Sequence, residues 1–284
     1  MVTGALTVTL SACGQGAVSG EAVAGSSSPP PPVSAPSSAP STPPPVSTSV
    51  PPSSVAAAPA PAKPKPAPAA GRVVVLDPGH NGGNASNPAR INQSVPAGRG
   101  RTKPCNTTGT ATNAGFTEHA FTWDVSNRVR DILTSRGVRV VLTRPNDTGV
   151  GPCVDERAAI GNRENASAVV SIHADGSTAA GAHGFHVAYS APPLNAAQGE
   201  PSLRLARTVR DTMRGAGIAT STYIGSAGLS PRDDLGGLNL SERPAVLVEC
   251  GNMRDATEAA TLSSPDGRQR YATAIADGIL TYLG

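Results

Sequence analysis

The order of apolar and polar positions changes regularly along residues 72–283. Short continuous apolar runs, typical of strands buried on both faces, alternate with stretches whose apolar residues follow helical spacing. The apolar runs are Arg72–Leu76, Val138–Leu142, Ala168–His173, Phe185–Tyr189 and Ala245–Glu249. Helical spacing joins Phe121 to Leu133, Leu203 to Met213, and Tyr271 to Tyr282. This alternation predicts a three-layer α/β/α sandwich around a mostly parallel, twisted sheet.

Capping and breaking residues indicate where individual helices begin and end. Thr117 is the expected cap of the helix that contains Phe121, and Gly137 is its expected stop. Asp155 is the expected cap of a further helix that reaches about Ala166. The segment 81–115 is rich in Gly, Asn, Thr and Pro. We expect it to form a long loop, which in compact domains is commonly functional or disordered.

Composition divides the chain into three parts. Residues 1–70 contain no aromatic residue and only three charges, at Glu21, Lys63 and Lys65. Such a segment cannot bury enough apolar surface to offset its conformational entropy. We predict a signal-like N-terminus over 1–25, a disordered Pro/Ser/Ala-rich linker over 26–70, and one folded domain over 71–284. The prolines favour an extended linker that acts as a spacer.

The first residues resemble a bacterial lipobox. Leu10-Ser11-Ala12-Cys13 follows a short apolar stretch, but no basic residue precedes that stretch, as a signal peptide requires. Two alternatives stay open, an acylated Cys13 that tethers the chain to the outer face of the plasma membrane and a plain apolar tail. With the linker, this segment predicts export to the periplasm or cell wall.

The cysteines fit an exported protein, in which thiols can oxidise. Cys105 and Cys153 both lie in polar segments rich in Gly and Pro. We predict a disulfide between them, with two free thiols as the alternative. Cys250 ends an apolar run and is the expected buried free thiol.

The charge of the chain argues against a nucleic-acid partner. The net charge is +3 at pH 7, and the basic residues form no cluster. A nucleic-acid surface would carry a stronger basic patch with stacking aromatic residues. We expect a monomer.

Polar residues capable of binding a metal occur where the predicted strands end. His80, His173 and Glu249 follow or close three apolar runs, and Glu118 opens the helix after the first. In open α/β sheets, ligands bind beyond the carboxyl ends of the strands. Two His and one Glu suit a zinc ion with an open position, and a further Glu can act as the base. The alternatives are satisfied polar residues at strand ends, or ligands drawn from His119, His183 and His186.

Four motifs in this order resemble the zinc-dependent N-acetylmuramoyl-L-alanine amidases. They are Val75-Leu76-Asp77-Pro78-Gly79-His80, Glu118, Ser171-Ile172-His173-Ala174-Asp175, and Pro244-Ala245-Val246-Leu247-Val248-Glu249-Cys250-Gly251. The resemblance is to the short actinobacterial members without a wall-binding module. It implies hydrolysis of the amide between N-acetylmuramic acid and L-alanine in peptidoglycan or muropeptide fragments. It also implies that His80, Glu118 and His173 bind Zn²⁺ and that Glu249 is catalytic.

The sequence departs from the family pattern in three places, one of which is the segment 81–115, which is long for the family and carries Cys105. Asp175 stands where the family often has Asn, and Cys250-Gly251-Asn252-Met253 replaces the usual Thr-Gly-Phe type of ending. Two other functions stay open from sequence. One is a zinc peptidase that cuts within the stem peptide, and the other is a non-catalytic peptidoglycan-binding regulator.

Overall fold

The computed structural model describes residues 71–284. The predictions for residues 1–70, including the lipobox at Cys13 and the linker over 26–70, lie outside this range. The strands are β1 (Val73–Pro78), β2 (Ser94–Pro96), β3 (Thr102–Pro104), β4 (Arg139–Leu142), β5 (Ala168–Asp175), β6 (His186–Ser190), β7 (Leu229–Arg232) and β8 (Ala245–Asn252). The helices are α1 (Pro88–Ile91), α2 (Glu118–Thr134), α3 (Val154–Arg163), α4 (Glu200–Gly215), α5 (Gly236–Asn239), α6 (Ala256–Ser263) and α7 (Pro265–Leu283).

A six-stranded sheet forms the middle layer, in the order β4-β1-β5-β8-β6-β7. β4, β1, β5 and β8 run parallel to one another, whereas β6 is antiparallel to β8 and pairs in parallel with β7. The mostly parallel α/β/α architecture predicted from the sequence is confirmed. β7 was not predicted, because four residues that include a proline carry no clear strand pattern.

Apolar side chains cover both faces of this sheet. The larger cluster joins residues of β1, β5 and β8 to α2, α4 and α7, with Phe121, Val170 and Ile275 fully buried. A smaller cluster on the opposite face includes Val169 and Leu238. Burial on both faces is why the strands appear in the sequence as continuous apolar runs.

The predicted boundaries of α3 were wrong. Cys153 is its cap residue, with Asp155 already in the first helical turn, and the helix ends at Arg163. The backbone N–H of Cys153 donates to Glu156 Oε2 at 2.8 Å, so a capping box closes this end. Asp155 retains a favourable position, because a negative charge in the first turn interacts well with the helix dipole.

The segment 81–115 contains more structure than the expected loop. It holds α1 and the antiparallel β2–β3 hairpin. The predicted disulfide is present between Cys105 and Cys153, with a sequence separation of 48. Val154 N also donates to Cys105 O at 2.9 Å, so the segment is fastened to the start of α3. Cys250 is buried and free, as expected.

The two ends of the described domain lie together. Arg72, which precedes β1, and Gly284, which follows α7, line the same surface depression. This depression lies beside the amino end of β1, and the carboxyl ends of the parallel strands are at the opposite edge of the sheet. Within residues 71–284, no helix is both long and apolar enough to span a membrane.

Removing the disulfide should destabilise the domain. A double Cys105→Ser, Cys153→Ser variant loses the constraint on a 48-residue separation. Chain entropy gives an upper value of about 4 kcal/mol for this constraint, and measured losses are typically about 2–4 kcal/mol. Urea unfolding followed by circular dichroism measures the change. Reductant should lower the urea midpoint of the wild type and leave that of the double variant unchanged. Equal midpoints for the double variant and the oxidised wild type would contradict the prediction.

Candidate active site

Three of the predicted site residues come together at the carboxyl ends of β1 and β5. The ligating atoms of His80, Glu118 and His173 all lie within 4.8 Å of one another. Glu118 Oε1 is 3.1 Å from His80 Nε2 and 3.0 Å from His173 Nδ1. The two imidazole rings stand edge to face, with centroids 4.9 Å apart. The cluster therefore presents two nitrogens and one carboxylate oxygen to a single point.

The backbone holds His80 in an uncommon conformation. Its φ is 59°, in the left-handed region that non-glycine residues rarely adopt. The buried Arg157 donates to the carbonyl of His80 at 2.7 Å and to that of Pro78 at 2.6 Å. The backbone N–H of Gly79 donates to Ile172 O on β5 at 3.0 Å. These bonds offset the conformational cost and fix the direction of the imidazole.

Hydrogen bonds from the segment 107–110 fix the tautomer of His80 and orient the carboxylate of Glu118. His80 Nδ1 lies 3.1 Å from the carbonyl of Thr107, which favours the tautomer with the proton on Nδ1 and leaves Nε2 free as a ligand. The backbone N–H of Thr110 donates to Glu118 Oε2 at 2.9 Å. Burial raises the pKa of Glu118, but His80 and His173 outweigh it and hold that pKa well below its usual range.

The surroundings fit a small cation. A Cβ added at Gly79 would lie 2.3 Å from His173 Cε1, and one at Gly109 would lie 2.9 Å from Glu118 Oε2. Backbone without side chains thus approaches the cluster from two sides. Two ligands that bind one zinc ion at about 2.0–2.1 Å in tetrahedral geometry are about 3.3 Å apart, close to the separations seen here. The donor set and its spacing fit zinc.

Glu249 lies beside this cluster, because the parallel register of β5 and β8 pairs it with His173. Within residues 71–284, its Oε2 is buried and has no hydrogen-bond partner. Burial raises the pKa of Glu249 well above its usual value, and the charges of Glu118 and Asp175 raise it further. A divalent cation nearby would lower the pKa of Glu249, because it stabilises the charged carboxylate. The carboxyl is therefore placed in an environment suited to taking up and releasing a proton.

The other histidines do not belong to the cluster. His119 Nδ1 pairs with Asp147 Oδ2 at 2.8 Å, and His183 Nδ1 lies 2.9 Å from the carbonyl of Gly181. His186 is buried at the start of β6, directly opposite Glu249. Burial lowers the pKa of His186 to about 4, an effect that Asp175 opposes. The imidazole is therefore neutral at ordinary pH.

Asp77 has a structural role that was not predicted from its place in the Val75–His80 motif. Its Oδ1 accepts from Arg157 at 2.7 Å and from Thr143 at 2.6 Å, and its Oδ2 accepts from Ser171 at 2.6 Å. Burial raises the pKa of Asp77, but Arg157 and the two hydroxyls outweigh it and lower that pKa to about 2. The charged carboxylate thereby joins β1 to its two neighbouring strands and to α3.

Two cavities meet at the candidate site. A cavity of about 210 Å³ extends from His80, His173 and Glu249 over the sheet toward Leu238. A more open basin of about 620 Å³ lies on the other side of the same three residues. Asp175, at the rim of this basin, accepts a hydrogen bond from Tyr223 Oη at 2.9 Å. The cluster is therefore accessible to a substrate.

Comparison with known proteins gives one consistent result. Residues 74–281 match the family described as N-acetylmuramoyl-L-alanine amidase. The N-acetylmuramoyl-L-alanine amidase Rv3717 of Mycobacterium tuberculosis is 51% identical over 214 residues, which cover 75% of this chain and 87% of that protein.

Solved structures agree with the sequence comparison. The amidase Ami1 of Mycobacterium smegmatis has a TM-score of 0.73 at 54% identity, covering 76% of this chain and 98% of that one. The apo form of Ami1 from Mycobacterium abscessus also has a TM-score of 0.73, at 56% identity, covering 76% of this chain and 100% of that one.

A side chain at Gly79 should weaken metal binding although Gly79 is not a ligand. In Gly79→Ala the new methyl group would overlap the ring of His173, which must move away from His80 and Glu118. We expect zinc affinity to fall at least about 10-fold, measured by competition with a chromophoric chelator. Gly215→Ala is the matched control, because no atom lies within 4 Å of its added Cβ. Wild-type zinc affinity in Gly79→Ala would contradict a metal site at His80, Glu118 and His173 that needs the bare backbone of Gly79.

Proposed function

The chain belongs to the N-acetylmuramoyl-L-alanine amidase family, and on this premise we propose that it is a zinc enzyme whose ion is held by His80, Glu118 and His173. Its reaction is hydrolysis of the amide bond between N-acetylmuramic acid and L-alanine in peptidoglycan. The observation that supports the zinc assignment is the convergence of these three donors within 4.8 Å, beside Glu249, whose Oε2 is buried.

The donor set points to a catalytic rather than a structural ion. Structural zinc sites usually have four protein ligands, whereas catalytic sites have three and keep one position open. When bound, such an ion polarises the scissile carbonyl and lowers the pKa of water. His80 and His173 supply neutral nitrogens, and Glu118 supplies the negative charge. Thr107 and Thr110 hold two of these ligands in place through their backbone groups.

Glu249 is the proposed general base and acid. Its carboxylate accepts a proton from the attacking water while the new C–O bond forms on the lactyl carbonyl carbon. It then delivers that proton to the nitrogen of L-alanine as the C–N bond breaks. The raised pKa of Glu249, caused first by burial, suits both steps, because the group must gain and lose a proton in one turnover.

We place the enzyme outside the plasma membrane, in the periplasm or cell wall. Its substrate is a wall polymer, and the Cys105–Cys153 disulfide is typical of oxidising compartments. Acylation of Cys13 would add a membrane tether. Mass analysis of the mature amino terminus in cells distinguishes an acylated Cys13 from an unmodified tail.

The two other functions left open by the sequence have less support. The relatives named above are called amidases, which does not favour cleavage within the stem peptide. A non-catalytic regulator would not need the complete set of His80, Glu118, His173 and Glu249, which the fold brings to one place.

The reaction can be tested with muramyl dipeptide and purified peptidoglycan. We expect the full chain to release peptides with a free L-alanine amino terminus, detected by mass spectrometry. A zinc chelator should stop the release and added zinc should restore it. Cleavage elsewhere in the stem would instead indicate the peptidase, and no cleavage by zinc-loaded protein would contradict an enzymatic role.

Substitutions should separate metal binding from proton transfer. Glu249→Gln should retain stoichiometric zinc and lose about 10²- to 10⁴-fold in kcat, because the base is removed while the ligands remain. His173→Ala should lose zinc, measured by metal analysis after dialysis. Near wild-type turnover in Glu249→Gln, or stoichiometric zinc in His173→Ala, would each contradict the assigned role.

A further inference from the structure

Two buried polar atoms near the reaction centre have no hydrogen-bond partner within the part of the chain that the structure describes. They are Nδ1 of His186 and Oε2 of Glu249. Buried polar groups are nearly always hydrogen-bonded, and leaving one unpaired costs free energy. Two such atoms on neighbouring residues therefore call for a common explanation.

The sheet places these two residues side by side. The antiparallel register of β6 and β8 pairs His186 with Glu249, and the parallel register of β5 and β8 pairs Glu249 with His173. Residues directly opposite in adjacent strands share a face, with Cβ atoms about 4.5–5.5 Å apart in antiparallel pairs. His173, Glu249 and His186 thus form one row across three strands, with Glu249 in the middle.

The charged groups around this pair already have partners of their own. Asp175 accepts from Tyr223 Oη at 2.9 Å and from the backbone of Gly176 at 2.7 Å. Arg232 donates to both carboxylate oxygens of Asp234, at 2.7 and 2.6 Å. Neither Asp175 nor Arg232 therefore bonds to His186 Nδ1 or to Glu249 Oε2.

We propose that His186 is a positioning residue for Glu249, with its Nδ1–H linked to Glu249 Oε2 across one buried water, since the two atoms make no direct hydrogen bond. A neutral imidazole has one N–H donor, and the form of Glu249 that takes a proton from water is the ionised carboxylate, which only accepts, so the two atoms are complementary in that state. The bond fixes the rotation of the carboxylate. It occupies Oε2 and leaves Oε1 to exchange the proton with water and the leaving nitrogen. This inference rests on the proposed role of Glu249 as base.

Steady-state kinetics of three variants test the inference in the full-length, zinc-loaded enzyme. His186→Leu removes the donor, and we expect kcat for muramyl dipeptide to fall about 10- to 100-fold, with KM within about 2-fold of wild type and zinc retained. His186→Gln can still donate and should recover most of kcat. Ser190→Ala controls for disturbance of β6, because it removes a buried hydroxyl that contacts Arg99 and Asn239 rather than Glu249.

The outcomes distinguish the inference from the function on which it rests. Wild-type kcat in folded His186→Leu, beside an inactive Glu249→Gln, overturns the inference alone. Near wild-type turnover in Glu249→Gln overturns the role of Glu249 and the inference with it. Three other outcomes would make His186 a merely structural residue and overturn the inference. They are an equal loss of kcat in Ser190→Ala, no recovery of kcat in His186→Gln, and loss of zinc in His186→Leu.

A spectroscopic measurement keeps the inference testable if His186→Leu does not fold. The chain has five histidines, so the ring nitrogens can be assigned by variants and long-range ¹H–¹⁵N correlation. We expect His186 in wild type to be the neutral tautomer protonated on Nδ1. In Glu249→Ala its ring shifts should change, because the acceptor is lost. The opposite tautomer in wild type, or unchanged shifts in Glu249→Ala, overturns the inference.

Discussion

The active site depends on two buried guanidinium groups that bind the backbone at the end of β1. Arg157 donates to the carbonyls of Pro78 and His80 and to the carboxylate of Asp77. Arg144, fully buried, donates to the carbonyls of Pro78 and His119. A buried cation is costly unless its donors are satisfied, so these side chains tolerate few other arrangements of the loop. The turn that carries His80 is therefore fixed by the same bonds that satisfy the arginines.

The remaining site residues are positioned by more regular structure. His173 and Glu249 are neighbours because β5 and β8 pair in parallel register, and the core beneath them fixes that register. Glu118 begins α2, whose apolar face packs on the same sheet. The disulfide holds the segment that contributes Thr107 against the start of α3. A rigid scaffold thus brings four side chains from distant parts of the chain to one point, as catalysis requires.

Much of this arrangement could be predicted from the sequence, because it depends on local patterns. Apolar runs that are followed or closed by His80, His173 and Glu249 indicate strands whose carboxyl ends share an edge. Other features depend on long-range pairing, which a single sequence does not contain. β6 enters the sheet antiparallel to β8, and only that direction places His186 opposite Glu249. In the sequence His186 lies inside the apolar run Phe185–Tyr189, and nothing in that run indicates that Glu249 is its neighbour.

The boundary errors have a similar physical cause. Cys153, rather than Asp155, caps α3 because the disulfide holds it there and Glu156 closes the capping box. The β2–β3 hairpin is three residues per strand and has little apolar content, so its pattern resembles that of a loop. Short elements of this kind are stabilised by the contacts they make in the folded domain and not by their own sequence.

The shared location of Arg72 and Gly284 has a consequence for how the domain can meet a solid substrate. Both ends of the described domain line one depression, and the catalytic edge faces the opposite way. A fusion partner or surface attachment at either end would therefore leave the cleft pointing outward. An enzyme immobilised through either end would present its active site away from the support and toward a cross-linked polymer. The domain is therefore well suited to display on beads or sensor surfaces.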